Sequence, residues 1–266
     1  MYIRHAFIIL ILLLSFTSLA TPNNKVLRIA VSANFAEPLK ALLPTFHQNT
    51  GIHTQVITGS TGNLFQQIVH GAPFDIFLAA DSIRPNKLVE LGLADAKQVS
   101  TYTIGELAFW SAKWHDASAP PSIEKVIQQL TLKEQRFAIA NPTIAPYGKA
   151  AKQALTSLKL WPIPANKLVT GININQTFQQ LRTGAVPIGI VAHSQLKQNN
   201  LTGMLIPTTH YQAITQQLVI LSHSSQQAQA KKLRDFLLSD HTQAQLQAQG
   251  YQAVSSTQQA TRRMIN

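Results

Sequence analysis

The chain has 266 residues, with 22 Lys and Arg against 11 Asp and Glu, nine His and no Cys. A chain without cysteine has no disulfide, no thiolate metal site and no cysteine nucleophile. The formal net charge of +11 comes from basic residues that are scattered almost singly, whereas nucleic-acid-binding proteins concentrate them on one face. We therefore expect no nucleic-acid partner, although a diffuse positive field favours encounters with anions.

The N-terminus has the pattern of a secretory signal peptide. Arg4 precedes an apolar run over residues 6–16, and residues 18–20 (Ser-Leu-Ala) form a small-x-small cleavage sequence. The apolar run is shorter than the roughly 20 residues that a membrane-spanning helix needs. We therefore predict a signal peptide over residues 1–20 and a periplasmic mature protein.

Apolar runs alternate with helical patterns along the rest of the chain. This alternation is typical of an α/β protein with mostly parallel sheets flanked by helices. Strands are predicted over residues 26–33, 54–58, 75–80, 107–110, 136–140, 188–192 and 217–222. Helices are predicted from about residue 37, around Leu64, over residues 150–158 and 176–181, and around residues 233–237. The Gln-rich segment from Gln243 is expected to form a surface helix.

Two α/β sets in one secreted chain predict two lobes with a ligand cleft between them. The chain is expected to cross between the lobes near residues 104–106 and 211–216. This assigns residues 21–105 and 216–266 to lobe 1, and residues 106–215 to lobe 2. Open α/β sheets bind ligands at the carboxyl ends of their strands, where loops lead into helix N-termini.

Four loops occupy that position: residues 32–35, 59–63, 142–148 and 171–175. None of them contains Arg, Lys, Asp or Glu, so a cation site, which needs carboxylates, is not expected. Backbone N–H groups, hydroxyls and amides at helix N-termini can replace the water shell of an anion. An oxyanion without bound protons offers only acceptors, so these loops predict a site for a small oxyanion. Helix capping alone also explains the polar residues in the first two loops.

Five segments resemble the periplasmic molybdate-binding proteins of ABC transporters. They are residues 33–35 (ANF), 59–64 (GSTGNL), 71–81 (GAPFDIFLAAD), 141–148 and 189–192 (GIVA). The resemblance implies a two-lobe, type II periplasmic-binding fold with molybdate or tungstate in the interlobe cleft. It also implies delivery of that anion to the membrane subunits of an ABC importer, without catalysis and without a cofactor. We expect the protein to act as a monomer.

Carried over position by position, the resemblance implies a set of ligand residues: Asn34, Ser60, Thr61, Tyr147 and Ile174. Ile174 would bind through its backbone N–H, and the choice between Ser60 and Thr61 in the second loop stays open. The chain departs from the family's commonest pattern at Asn34, where Ser is usual, and at Ala192, where Tyr is frequent. Tyr147 could supply the missing hydroxyl.

Other interpretations remain open. The same fold could bind sulfate, phosphate or an iron–anion complex, or could serve a sensory role. Protonated phosphate needs an acceptor such as Asp, which the four loops lack, and ferric sites usually employ paired tyrosines, whereas Tyr147 stands alone here. A serine hydrolase is disfavoured because the sequence has no Gly-x-Ser-x-Gly element.

Overall fold

The computed structural model describes residues 26–114, 121–132, 135–252 and 254. The predicted signal peptide lies outside these residues. Within them the chain forms two five-stranded sheets, and helices pack on both. None of the helices in this part of the chain combines the length and the apolar character needed to cross a membrane.

The strands and helices are numbered in chain order. The strands are β1 (Leu27–Ser32), β2 (Thr54–Gly59), β3 (Ile76–Leu78), β4 (Ala94–Gly105), β5 (Leu107–Trp110), β6 (Phe137–Ala140), β7 (Leu168–Gly171), β8 (Ile188–Ala192), β9 (Met204–Leu205) and β10 (Ile214–Leu221). The α-helices are α1 (Ala36–Thr50), α2 (Thr61–Val69), α3 (Ile83–Glu90), α4 (Ile123–Leu132), α5 (Pro146–Ser157), α6 (Ile174–Arg182), α7 (His193–Gln198), α8 (Gln227–Leu237) and α9 (Asp240–Ala248). Short 3-10 turns lie at Ala33–Phe35, Ala112–Trp114 and Thr208–His210.

The two sheets share one plan. The first has the order β2-β1-β3-β10-β4 and the second has the order β7-β6-β8-β5-β9. β1 and β6 are parallel to both of their neighbours, whereas β10 and β5 are antiparallel to both of theirs. Parallel pairing therefore makes up half of each sheet rather than most of it. The antiparallel half of each sheet comes from β5 and β10. Each of them follows a crossing between the sheets and is antiparallel to the strands beside it.

The two crossings lie next to each other. The chain leaves the first sheet at Gly105, the last residue of β4, and enters the second sheet at Leu107. It returns to the first sheet at Ile214, which pairs with Gly105 in the β4–β10 ladder. The two connections between the sheets therefore run side by side, and we call them the hinge.

Each sheet buries both of its faces. Leu27, Ile29 and Val31 alternate along β1 and pack into an apolar cluster with residues of α1 and α8, as their period of two predicts. Ala30, on the opposite face, belongs to a second cluster with Leu64 of α2. The second sheet is covered by α5 on one face and by α6 on the other. With both faces covered, the carboxyl ends of the strands are left to form the facing edges of the cleft.

The polar segments of the chain are where the sequence patterns predicted least. The strand β4 contains Lys97, Gln98 and Ser100, and its exposed and buried positions do not alternate regularly, so no period of two marks it as a strand. The Gln-rich segment does form the helix α9, but it is not confined to the surface. The side-chain amide of Gln243 is buried and donates to the backbone carbonyls of Tyr102 and Leu237 at 2.9 and 2.8 Å.

Candidate ligand-binding site

A small cavity lies between the two sheets, at the carboxyl ends of the first-sheet strands and the N-termini of α5 and α6. Its empty volume is about 200 Å³, and none of its lining residues is charged. The structure brings together in its wall every ligand residue predicted from the sequence: Asn34, Ser60, Thr61, Tyr147 and Ile174. Each of them exposes 4% or less of its surface. These five residues are therefore largely shielded from bulk water.

Asn34 lies in the turn between β1 and α1. Its side-chain amide nitrogen donates to Gln216 Oε1 at 2.9 Å, and its backbone carbonyl accepts a hydrogen bond from the Tyr251 hydroxyl at 2.8 Å. One hydrogen of the Asn34 amide is thus engaged behind the cavity wall, which leaves the other hydrogen available to a ligand.

Ser60 and Thr61 occupy different environments at the start of α2. Ser60 caps the helix, and its Oγ accepts from the Asn63 N–H at 3.3 Å. Thr61 Oγ1 is 2.6 Å from Ser32 Oγ and also accepts from the Ala80 N–H at 3.3 Å. Ser60 therefore keeps its hydroxyl hydrogen, whereas the Thr61 hydroxyl is held from two sides.

The second sheet contributes two helix N-termini. The helix α5 begins at Pro146. Its N-cap residue is Ala145, which has no polar side chain to cap the helix. The helix α6 is capped by Asn173, whose Oδ1 accepts from the Gln176 N–H at 3.0 Å. Within the part of the chain that the structure describes, the backbone N–H groups of Tyr147 and Ile174 have no protein acceptor. Such groups, with the partial positive charge of the helix end, favour an anion.

The Tyr147 side chain reaches back from α5 to the hinge. Its hydroxyl accepts from Gln216 Nε2 at 3.1 Å, so its own hydrogen is free to donate. Burial, reinforced by the neighbouring tyrosines, raises the pKa of Tyr147 well above its usual value. The hydroxyl therefore stays protonated and remains a hydrogen-bond donor throughout the physiological pH range.

Hydrogen bonds outside the cavity also join the halves of the molecule directly. The Gly62 N–H donates to the Ile144 carbonyl at 2.9 Å, and the Arg84 guanidinium, which is paired with Asp81, donates to the Thr143 carbonyl at 3.3 Å. A Cβ on Gly62 would lie 2.9 Å from the Ile144 oxygen, so only glycine permits this approach. These bonds describe a closed cleft.

A larger crevice opens beside the cavity. It has an empty volume of about 1090 Å³ and shares Ala80, Ala145 and Pro146 with the cavity wall. Its lining contains three cations, Arg84, Lys87 and Lys149, against one carboxylate, Asp81, and we call it the basic crevice. Among the described residues, no group of three or more His, Asp or Glu could hold a metal ion. The cleft thus combines a neutral inner cavity with a positively charged flank.

Gln216 and Gly62 are the residues of the site region whose roles the sequence did not predict. Gln216 stands in β10 between two other polar residues, Thr215 and Gln217, and is fully buried. A buried polar side chain needs a hydrogen-bond partner, but with polar residues on both sides of it the sequence indicated neither the burial of Gln216 nor its partners. The Gly62 contact joins residues 82 positions apart in the chain, 62 and 144.

The chain is similar to known proteins in both sequence and fold. The chain matches the family model described as bacterial extracellular solute-binding protein over residues 27–252. It belongs to this family. The molybdate-binding protein ModA of Azotobacter vinelandii is 38% identical over 231 residues, which are 84% of this solute-binding protein and 88% of that one.

Two solved structures support the same assignment. The periplasmic molybdate-binding protein of Azotobacter vinelandii matches with a TM-score of 0.78 and 31% identity, over 86% of this chain and 100% of that chain. The substrate binding domain of a putative molybdenum ABC transporter from Clostridium difficile matches with a TM-score of 0.64 and 25% identity, over 86% and 99%. The predicted two-lobe, type II periplasmic-binding fold is confirmed. Family membership makes the chain a solute-binding protein and not an enzyme.

Proposed function

We propose that this solute-binding protein captures molybdate or tungstate in the periplasm and delivers it to the membrane subunits of an ABC importer. The observation that carries this proposal is the neutral cavity between the lobes, in which hydroxyl, amide and N–H donors converge. The names of the relatives, a molybdate-binding protein and a domain of a putative molybdenum ABC transporter, support the choice of ligand and partner.

In this proposal the ligand bridges the two lobes. Asn34 and the second loop donate from lobe 1, residues 21–105 and 216–266, and Tyr147 and the Ile174 N–H donate from lobe 2, residues 106–215. Ser60 is favoured as the hydroxyl donor of the second loop because its hydrogen is free, and Thr61 contributes its backbone N–H at the start of α2. Contacts made only when both lobes touch the anion stabilise the closed form.

The chemistry of the wall accounts for discrimination among oxyanions. Phosphate carries a proton near neutral pH and needs an acceptor, but no carboxylate lines the cavity. Sulfate has no such proton but is smaller than molybdate and tungstate, so a wall of fixed donors contacts it less completely. The secreted protein, after loss of residues 1–20, acts as a monomer with this one anion as its cargo.

Calorimetric titration tests the proposal. The mature chain, freed of ligand by partial unfolding and dialysis, is titrated in parallel with molybdate, tungstate, sulfate and phosphate. We expect saturable 1:1 binding of molybdate and tungstate and at least about a hundredfold weaker binding of the other two, equivalent to roughly 2.7 kcal/mol. Absence of molybdate and tungstate binding, or equal binding of phosphate, would contradict the proposal.

A further inference from the structure

Gln216 stands directly behind the cavity wall and connects its two sides. The residue lies near the start of β10 at the hinge and is fully buried. Its side-chain amide bonds to Asn34 from lobe 1 and to Tyr147 from lobe 2. A single side chain therefore contacts a proposed ligand residue of each lobe without lining the cavity itself.

The hydrogen bonds of this amide have one consistent direction in the structure. The Asn34 amide donates to Gln216 Oε1 at 2.9 Å. The Tyr102 hydroxyl has two acceptors for its one hydrogen, Gln216 Oε1 and the Ala79 carbonyl, each at 3.1 Å. The Nε2 group therefore points the other way and donates to the Tyr147 hydroxyl at 3.1 Å. If Gln216 alone had the reverse orientation, its Nε2 would face the Asn34 N–H, and two donors would oppose each other.

This direction decides what the cavity offers to a ligand. Because the Tyr147 oxygen already accepts a hydrogen from Gln216, the Tyr147 hydrogen is left to point into the cavity. Because Asn34 gives one hydrogen to Gln216, its amide group is anchored with a second hydrogen facing the ligand. Both side chains are thereby presented as donors, which suits an oxyanion that carries only acceptors.

An irregularity in the neighbouring strand brings Tyr102 close to Gln216. The β4–β10 ladder pairs Gln216 with Thr103 and Gln217 with Thr101, so β4 has a bulge at Tyr102. A bulge re-aims side chains next to it, and here the Tyr102 hydroxyl comes within hydrogen-bonding distance of Gln216 Oε1. The neighbouring Gln217 is also buried, but it donates to Thr101 Oγ1 at 3.2 Å and does not touch the proposed ligand residues.

We infer that Gln216 is the positioning residue that sets the donor character of the ligand cavity, and through it the preference for unprotonated oxyanions. The inference rests on the proposed function, since it takes the bound solute to be an oxyanion. It goes beyond that function because Gln216 contacts no ligand and acts through Asn34 and Tyr147.

The substitution Gln216→Glu tests the direction of these bonds with almost no change in shape. When the introduced carboxyl group is ionised it only accepts, so the Tyr147 hydrogen turns toward it and the ligand loses a donor. When that group is protonated it both donates and accepts, as the amide does. We expect molybdate affinity in this variant to fall at least about tenfold as pH rises between about 6 and 9, with no such fall in the parent protein.

The pH profile is specific to the introduced carboxyl group. The titratable side chains that contact Gln216 are Tyr102 of β4 and Tyr147 of α5. Burial raises the pKa of both well above the usual value, so neither loses its proton in this pH range. A purely structural role of Gln216 would weaken binding to the same extent at every pH.

Two further variants complete the experiment. Gln217→Glu is the matched control, and we expect its molybdate affinity to stay within about twofold of the parent at each pH. Gln216→Met removes the hydrogen bonds to Asn34, Tyr102 and Tyr147 without adding a charge, and we expect it to lower affinity about tenfold independently of pH. Thermal unfolding of each variant reports whether the fold is retained. If Gln216→Glu does not fold, the affinity of Gln216→Met for molybdate is the test of the inference.

The possible outcomes separate the inference from the function on which it rests. If the parent protein binds no molybdate, the proposed function fails. If the parent binds molybdate but Gln216→Glu and Gln216→Met bind it with the parent's affinity at all pH values, the inference fails and the function stands. Equal losses in the Gln216→Glu and Gln217→Glu variants would also overturn the inference.

Discussion

The two spaces between the lobes differ in charge as much as in size. The inner cavity, about 200 Å³, has a neutral wall, whereas the basic crevice, about 1090 Å³, is lined by Arg84, Lys87 and Lys149. Point charges on long side chains attract any anion and do so over distance, but donors fixed by backbone and buried networks distinguish one anion from another. In this account the basic crevice attracts anions, and the neutral cavity selects among them.

The sharpest way to test this comparison is to remove donors from the neutral wall. Tyr147→Phe and Asn34→Ala each delete one proposed hydrogen bond to the charged ligand, which is worth about 1.5–3 kcal/mol, together with the bond of that side chain to Gln216. We expect each substitution to weaken molybdate binding by a factor of about ten to a hundred in calorimetric titrations. Gln153→Ala, in the wall of the basic crevice, is the control and should bind as the parent does.

The next prediction concerns the contact that closes the cleft. In Gly62→Ala the added methyl group would press on the Ile144 carbonyl and on the Arg84 guanidinium, at 2.9 and 3.2 Å. Overpacking of this kind destabilises a structure by about 1–3 kcal/mol. Here it would destabilise only the closed form, in which Gly62 and Ile144 are in contact. We expect affinity to fall roughly tenfold while the melting temperature of the ligand-free protein is unchanged.

Asn63→Ala provides the matched control for this prediction, because Asn63 is exposed on the same turn of α2. It should leave both affinity and melting temperature as they are. Parent-like affinity in Gly62→Ala would show that the close approach of Gly62 to Ile144 is not needed for ligand capture.

Loss of the Arg84 bridge should have a smaller effect. Arg84→Gln removes the hydrogen bond to the Thr143 carbonyl, for which a net contribution of about 0.5–1.5 kcal/mol is usual. We expect a threefold to tenfold faster dissociation of molybdate in stopped-flow measurements. The association rate should change little, because the Arg84 charge is already offset by Asp81. Arg182→Gln, which removes a basic group on α6 outside the basic crevice, should change neither rate.

The smallest expected effect concerns the remaining charges of the crevice. The double substitution Lys87→Gln and Lys149→Gln should slow association of molybdate a few-fold at low ionic strength and leave dissociation unchanged. The difference should vanish as salt shortens the screening length to a few ångströms. Lys231→Gln with Lys232→Gln, two exposed residues of α8, is the control with the same change in net charge.

Much of this arrangement could be predicted from sequence patterns, and the particular residues show why. The strands β5 and β8 have the predicted bounds, residues 107–110 and 188–192, because both are short continuous apolar runs that are buried on both faces. The loops of the site were also found, because glycine, proline and small polar residues stand between such runs. Local sequence was enough for these features.

The remaining features depend on contacts between distant residues. Gln216 acquires its role from Asn34 and Tyr147, which are 182 and 69 positions away in the chain. The burial of Gln243 depends on a hydrogen bond to the Tyr102 carbonyl of β4. That strand has no regular alternation of buried and exposed residues from which it could be predicted. Such polar networks leave no periodic signal, so only the folded chain reveals which buried amides bind each other.

Location of the bound metal atom tests the central claim most directly. Crystals of the molybdate complex can be measured near the molybdenum absorption edge, so that anomalous scattering marks molybdenum alone. The account predicts one strong peak in the neutral cavity, within hydrogen-bonding reach of the Asn34 and Tyr147 side chains through the oxyanion oxygens. A peak in the basic crevice, beside Arg84 and Lys149, would contradict it.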